Sequence, residues 1–333
     1  MGDDVVNWKG KKVLVTGAGG FIGSHLAERL CTLGASVRGL VHYNALGKHG
    51  WLDESAVQSE IEIIAGDICD RDSVRMAVRE AEVVFHLAAL IAIPYSYRAP
   101  ASYVRTNIEG TLNVLQAAHE LGIERVIHTS TSEVYGTARY VPIDEAHPLQ
   151  GQSPYSASKI GADKIAEAFQ LSFDVPVVTV RPFNTFGPRQ SARAVIPTVI
   201  SQCLAGHPSI RLGSLHPTRD MNYVGNTVEG FLAAAACPAA IGRTINLGSN
   251  REISIGDLAR MIIQLTGSKA TLESDATRLR PEKSEVERLL ADNRLAREIL
   301  HWEPAIALED GLKATIEWVR ANLHRYRPEM YAV

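Results

Sequence analysis

Between residues 12 and 34 the chain runs Lys12-Val13-Leu14-Val15-Thr16, then Gly17-Ala18-Gly19-Gly20-Phe21-Ile22-Gly23, then a segment with apolar residues at Leu26, Leu30 and Leu33. The β-branched run bounded by glycines reads as a buried strand, and the apolar spacing as a helix over 21–33 that stops at Gly34. Gly17, Gly20 and Gly23 lie at the junction. They permit a tight turn, close approach of a ligand to the backbone, and close packing of helix on strand. The amino end of the helix offers unpaired N–H groups and positive dipole to a phosphate. A strand, glycine loop and helix in this order constrain the chain to a parallel α/β sheet and point to a dinucleotide.

The first half continues the alternation. Strands are expected at 36–41, 61–65, 82–87, 125–129 and 175–180, and helices at 70–80, 101–121 and 155–173. Six strands with intervening helices predict a Rossmann-type doubly wound sheet. After Pro182 prolines and glycines punctuate shorter segments, with helices near 195–205, 227–236 and 255–265. The expected division is a dinucleotide-binding domain over 1–181 and a smaller mixed α/β lobe over 182–333. That lobe would close over the carboxyl edge of the sheet, where ligands of such sheets bind.

Composition removes other classes. A chain of 333 residues with net charge −3 offers no basic field for nucleic acid and no polybasic membrane patch. No apolar run reaches the length of a membrane span. Residues Met1 to Lys9 lack the charged start and apolar run of a signal peptide, so a cytoplasmic protein is expected. The 4 cysteines and 11 histidines show no metal-ligand spacing, and no metal is expected.

Tyr155 and Lys159 lie four residues apart, on one face of a helix. An ammonium beside a phenol, together with a positive nicotinamide ring, favours the phenolate, which then takes a proton from a sugar hydroxyl. Upstream, Thr129-Ser130-Thr131-Ser132-Glu133-Val134-Tyr135-Gly136 leaves the fifth strand at its carboxyl end and faces the same site. The second strand ends at Val41-His42-Tyr43-Asn44, without the acid that would select a free ribose hydroxyl, so NAD+ and NADP+ are both open. Asp67-Ile68, after the third strand, is placed either to accept from an adenine amino group or simply to open the next helix.

These residues resemble the extended short-chain dehydrogenase/reductases. The resemblance rests on the glycine loop, His86-Leu87-Ala88-Ala89, Asn107-x-x-Gly110-Thr111, the Tyr155/Lys159 pair, Arg181-Pro182-Phe183-Asn184, Arg219-Asp220 with Tyr223-Val224, and Trp302-Glu303-Pro304. It implies cofactor contacts from Gly17, Gly20, Phe21, Ile22, Gly23, His42, Asp67, Ile68, Leu87, Ala88, Ala89, Asn107, Thr129, Tyr155 and Lys159. Glu133 places the chain nearer the nucleotide-sugar 4,6-dehydratases than the simple 4-epimerases, which usually lack an acid there. By resemblance Thr131 polarises the C4 oxygen, Tyr155 is the C4 base, Glu133 the C5 base, and Ser132 assists departure of the C6 hydroxyl. The general acid at C6 stays open.

The chain is most similar to the N-acetylglucosamine 4,6-dehydratases of legionaminic acid biosynthesis, in residues 90–97, 129–138, 150–154, 189–193 and 280–285. That similarity implies a GDP- or UDP-linked sugar held by Tyr95, Ser96, Asn184, Arg193, Val195, Arg219, Arg280 and Glu282, with the arginines on the diphosphate. UDP-glucuronate decarboxylase, which shares the Thr131–Gly136 run, is the main alternative. A 4-epimerase and a non-catalytic regulator on the same fold are weaker ones. Family members pair two long helices between subunits, so a homodimer through 101–121 and 154–173 is expected.

Overall fold

The structure is a computed structural model that describes residues 7–329. Part of the segment read above as lacking a leader, residues 1–6, lies outside them. The sheet has seven parallel strands: β1 Lys12–Thr16, β2 Ser36–His42, β3 Ile61–Gly66, β4 Val83–His86, β5 Arg125–Thr129, β6 Val177–Pro182 and β7 Thr244–Leu247. Their spatial order is β3-β2-β1-β4-β5-β6-β7. This is the doubly wound arrangement expected, with the order reversing at β1. Register places Thr16 beside His86 and His86 beside His128, so the carboxyl ends of β1, β4 and β5 open at one edge.

Helices α1 Phe21–Thr32, α2 Arg71–Val78, α3 Gly110–Leu121 and α4 Pro154–Phe173 pack on the two faces. One face buries Leu26 and Leu30 of α1 with Val13, Val15 and Phe85. The other buries Val74 of α2, Val114 and Leu115 of α3 and Ala166 of α4 against Leu14, Val84 and Val126. Alternate residues of each strand feed opposite cores, as the pleat requires. Asp70 caps α2 by accepting from the N–H groups of Asp72 and Ser73, so the helix starts one residue after the aspartate.

Two departures from the sequence reading bear on the site. The helix expected over 101–121 is interrupted: Pro100–Tyr103 is α-helical, Val104–Glu109 forms a wider π turn, and α3 follows. The sheet also gains β7, drawn from beyond residue 182 and paired with β6. Helix α6 Val224–Ala236 likewise returns to the sheet, where Phe231 and Leu232 join the α1 core.

Three further helices, α5 Val195–Leu204, α7 Ile255–Thr266 and α8 Leu308–Ala321, bury Ile196, Ile200, Leu258, Ile262, Leu312 and Ile316 in a core of their own. Asp220 knits this part together. Its carboxylate accepts from Ser249 N and Oγ, both at 2.6 Å, from Asn250 N at 2.9 Å and from Ala291 N at 3.1 Å. Replacing it strands four donors. Asp220→Ala is expected to lower stability by about 3 kcal/mol, read as a reduced urea midpoint with an unchanged slope.

Candidate active site

A cleft of about 1120 Å³ follows the carboxyl edge of the sheet. At one end is the glycine loop. Gly17 has φ of +71°, and a Cβ there would stand 2.9 Å from the Ala88 backbone. At Gly23 a Cβ would fall 2.2 Å from the Gly17 carbonyl oxygen, so only glycine lets α1 start against the turn. Gly20 caps α1 without any side-chain cap, which leaves the helix's first N–H groups facing the cleft. The segment after β2 folds over this loop, and Trp51 N donates to Gly19 O at 2.9 Å.

The floor between β1 and β4 is fastened by one hydroxyl. Thr16 Oγ1 accepts from Leu87 N and Ala88 N, both at 3.1 Å, and lies 2.9 Å from His86 Nδ1. His86 Nε2 is 3.0 Å from Thr111 Oγ1, whose own proton goes to Asn107 O at 2.7 Å. Donor counting therefore assigns the proton of a neutral His86 to Nε2. Burial pushes its pKa well below the ordinary value, and His128 and Lys159 push the same way.

Asn107 sits in the π turn and stays behind the cleft wall. Its Oδ1 accepts from Leu90 N at 2.9 Å, while Nδ2 donates to Leu90 O at 3.0 Å and Ser158 Oγ at 2.9 Å. It thus holds the 87–92 wall to α4 and makes no contact with the cleft itself.

The candidate catalytic residues converge from two elements. Thr131 starts the turn Ser132–Tyr135 and accepts from Glu133 N at 3.2 Å, which buries Ser132 and Glu133 at the wall. Ser153 and Ser156 cap α4 reciprocally, bringing Tyr155 and Lys159 to the same wall. Lys159 Nζ donates to Thr129 O at 2.6 Å. Burial pushes the Tyr155 phenol up; the Thr131 hydroxyl works against this, and Glu133, Tyr103 and Asp163 add to the rise. The chain's own groups thus hold the phenol protonated, whereas the sequence reading stressed the ammonium's opposite pull.

Asn184, Arg193, Val195, Arg219 and Arg280 line the other end. Arg219 is buried, and its Nη2 lies 3.3 Å from Glu285 Oε1, which also pairs with Arg280 at 3.4 Å. Of the residues singled out from sequence, Tyr95, Ser96, Asn107 and Glu282 are the ones that do not line the cleft. Tyr95 is turned toward Tyr103, with ring centroids 6.2 Å apart. Ser96 donates to Ile93 O within its own helical turn, at 2.7 Å. Glu282 lies exposed, and Glu285 faces inward instead.

Glu285, Gln190 and Ser130 line the cleft without having been singled out. For Glu285 the signal was its place in the arginine-led run from 280. Three of the quoted stretches do meet: Tyr97 Oη is 2.6 Å from Ser284 Oγ, which donates to Gln152 O at 2.6 Å.

A dinucleotide fits these residues. Thr129 Oγ1 is buried at the cleft beside Lys159 without a hydrogen-bond partner, and the glycine loop leaves a cradle that a Cβ would fill; Asn184 Oδ1 and Gln190 Oε1 are likewise unpartnered toward the other end. Among the described residues no His, Cys, Asp and Glu group could hold a metal, and no helix is long and apolar enough to cross a membrane.

A Rossmann sheet whose cleft joins a glycine loop to a Tyr155/Lys159 pair defines an extended short-chain dehydrogenase/reductase. More narrowly, the chain belongs to the family described as GDP-mannose 4,6 dehydratase, whose model matches residues 14–315. It is 33% identical over 314 residues to a UDP-glucose 4-epimerase of Mycolicibacterium smegmatis, covering 93% of this chain and 98% of the relative. A UDP-N-acetyl-alpha-D-glucosaminuronate decarboxylase of Bacillus cytotoxicus is 34% identical over 320 residues, with the same two coverages. The crystal structure of a double mutant of DesIV, a dTDP-glucose 4,6-dehydratase of Streptomyces venezuelae, with NAD bound, superposes with a TM-score of 0.84 at 27% identity. It covers 95% of this chain and 99% of that one.

Gly23→Ala is expected to weaken dinucleotide binding by about tenfold or more while the protein stays folded, since overpacking costs roughly 1–3 kcal/mol. Calorimetric titration with NAD+, beside a far-ultraviolet circular dichroism spectrum, checks it.

Proposed function

We propose that the chain is a nucleotide-sugar 4,6-dehydratase. Its substrate would be a GDP- or UDP-linked hexose, N-acetylglucosamine in first place, and its product the 4-keto-6-deoxy sugar. One observation carries this reading: Glu133, a buried carboxylate, shares a wall with Thr131 and Tyr155. When bound, NAD+ or NADP+ supplies the acceptor for the C4 hydride and returns it to C6. The glycine loop, Asp67, Ala88 and Thr129 would hold it; His42 leaves the choice between the two open.

Within that frame each side chain has a task. Thr131 polarises the C4 oxygen, and Tyr155 removes its proton once the Lys159 ammonium, together with the positive nicotinamide ring, shifts the phenol toward the phenolate. Oxidation at C4 makes the C5 proton acidic, and Glu133 takes it. The C6 hydroxyl leaves as water, assisted by Ser132 and by the proton Glu133 has just acquired; with hydride back at C6, C5 takes up a proton, which balances the one Tyr155 removed from the C4 hydroxyl. Arg219 and Arg280 hold the diphosphate as charged, forked donors. Residues 1–181 would carry the cofactor and 182–333 the nucleotide sugar, in a cytoplasmic homodimer paired through 101–121 and 154–173. Sedimentation as a dimer at micromolar concentration is the expected result.

The Bacillus cytotoxicus relative supports a second reading, decarboxylation of a sugar uronate, which also begins at C4. Incubation with UDP- and GDP-N-acetylglucosamine, GDP-mannose, dTDP-glucose and UDP-glucuronate, followed by mass spectrometry, separates the two. Loss of water without net cofactor reduction is expected. Loss of carbon dioxide from the glucuronate alone would overturn the dehydratase. Glu133→Gln is expected to slow dehydration by about 10²–10⁴-fold while hydride removal at C4 continues, seen as reduced nicotinamide building up.

A further inference from the structure

Asp163 lies one turn beyond Lys159, so Tyr155, Lys159 and Asp163 form a stripe along α4. The carboxylate is buried and fully engaged. His128 Nε2 stands 3.0 Å from Oδ1, and Oδ2 accepts from Ser130 Oγ at 2.7 Å and from Arg181 Nε and Nη2 at 3.3 and 3.0 Å. Ser130 lines the main cleft. On its other side Asp163 reaches a separate polar cavity of about 340 Å³, shared with Glu145, Lys164, Glu167, Arg181 and Arg243. One carboxylate thus separates the reaction cleft from a second cavity.

The groups around Lys159 come from every layer packed on it. Tyr155 and Asp163 share its helix, His128 lies on β5, His86 on β4 and Arg181 on β6. Glu133, on the turn after β5, and Tyr103, from the preceding helical segment, act on Tyr155. The two histidines are buried and neutral, and Arg181 is a cation. Asp163, already paired with Arg181, is also the carboxylate one turn from the Lys159 ammonium on the same face of its helix.

Resting on the reading of Tyr155 and Lys159 as the proton-removing pair, we propose that Asp163 is a positioning residue. Its charge keeps Lys159 protonated, and it does so from outside the lining of the substrate cleft, at the wall of the second cavity. Burial pushes Lys159 down to about 8, and Asp163 acts against that fall. Burial opposes ionisation of Asp163 too, but His128, Arg181 and Lys159 outweigh it and hold the acid down to about 2. It is ionised throughout the working range.

The sign follows. Without the carboxylate, Lys159 loses its proton at lower pH. The alkaline limb of activity, which tracks the ammonium, then moves down. Asp163→Asn keeps the shape and removes the charge. Its limb is expected at least one pH unit below the native one, which is about a threefold loss just above neutrality, approaching about tenfold at pH above both limbs and vanishing on acidification. A carboxylate that merely tied Arg181 and His128 together would lower activity by one factor at every pH. An unmoved limb therefore overturns the proposal. If Asp163→Asn does not accumulate folded, Asp163→Glu carries the test. A native limb position supports the proposal, and a limb displaced downward overturns it.

The limb is read on C4 oxidation, which dehydratase, decarboxylase and epimerase share. Product mass judges the dehydratase reading separately.

Discussion

The cleft depends on a single hydroxyl buried where three strands end. Thr16 receives two backbone N–H groups from the segment after β4 and passes its own proton to His86, which continues the chain to Thr111 and Asn107. Parallel strands have no hairpins to align their ends, so something else must keep β1 and β4 flush. Here hydrogen bonds from one edge of the sheet do so, with every donor placed. Through Asn107 the same chain reaches Leu90 and Ser158, and so couples the glycine loop to the helix bearing Tyr155 and Lys159.

Charge in the interior follows one pattern. Asp163 and Arg181 are buried together, with Arg181 also over the Tyr135 ring and bonded to its hydroxyl. Breaking such a group by removing one member leaves the other uncompensated, which is costlier than never having buried the pair. At the opposite end of the cleft Glu285 sits between Arg219 and Arg280, so neither guanidinium faces a dry wall alone.

Much of this was legible in the chain. Lys12–Thr16 and Arg125–Thr129 were found to the residue, because buried parallel strands are continuous apolar runs bounded by breakers. The glycine loop and the Tyr155/Lys159 spacing were legible because each depends on sequence-local geometry. Glu285 was harder. Glu282 stands in the same arginine-led run, and only the path of the backbone through the short turn Glu282–Ser284 turns one acid outward and the other inward. Ser96 and Asn107 looked like ligand groups, yet both spend their hydrogen bonds on the fold. Strand β7 escaped notice for another reason: four residues distant from β6 in sequence pair with it only through tertiary packing.

The π turn at Val104–Glu109 changes what one continuous rod of backbone presents. A wider turn takes in one extra residue, and in an α-helix one residue is about 100° of rotation. Ahead of it Tyr103 points at the Tyr155 ring, 6.2 Å away between centroids, while beyond it Val114 and Leu115 lie in the sheet core. The insertion is thus a phase shifter. It lets one end of the rod back the Tyr155 ring and the other fill the sheet core, and it makes the length of this segment as restrictive as its composition. A chain one residue shorter here would keep Tyr103 itself and still aim it elsewhere.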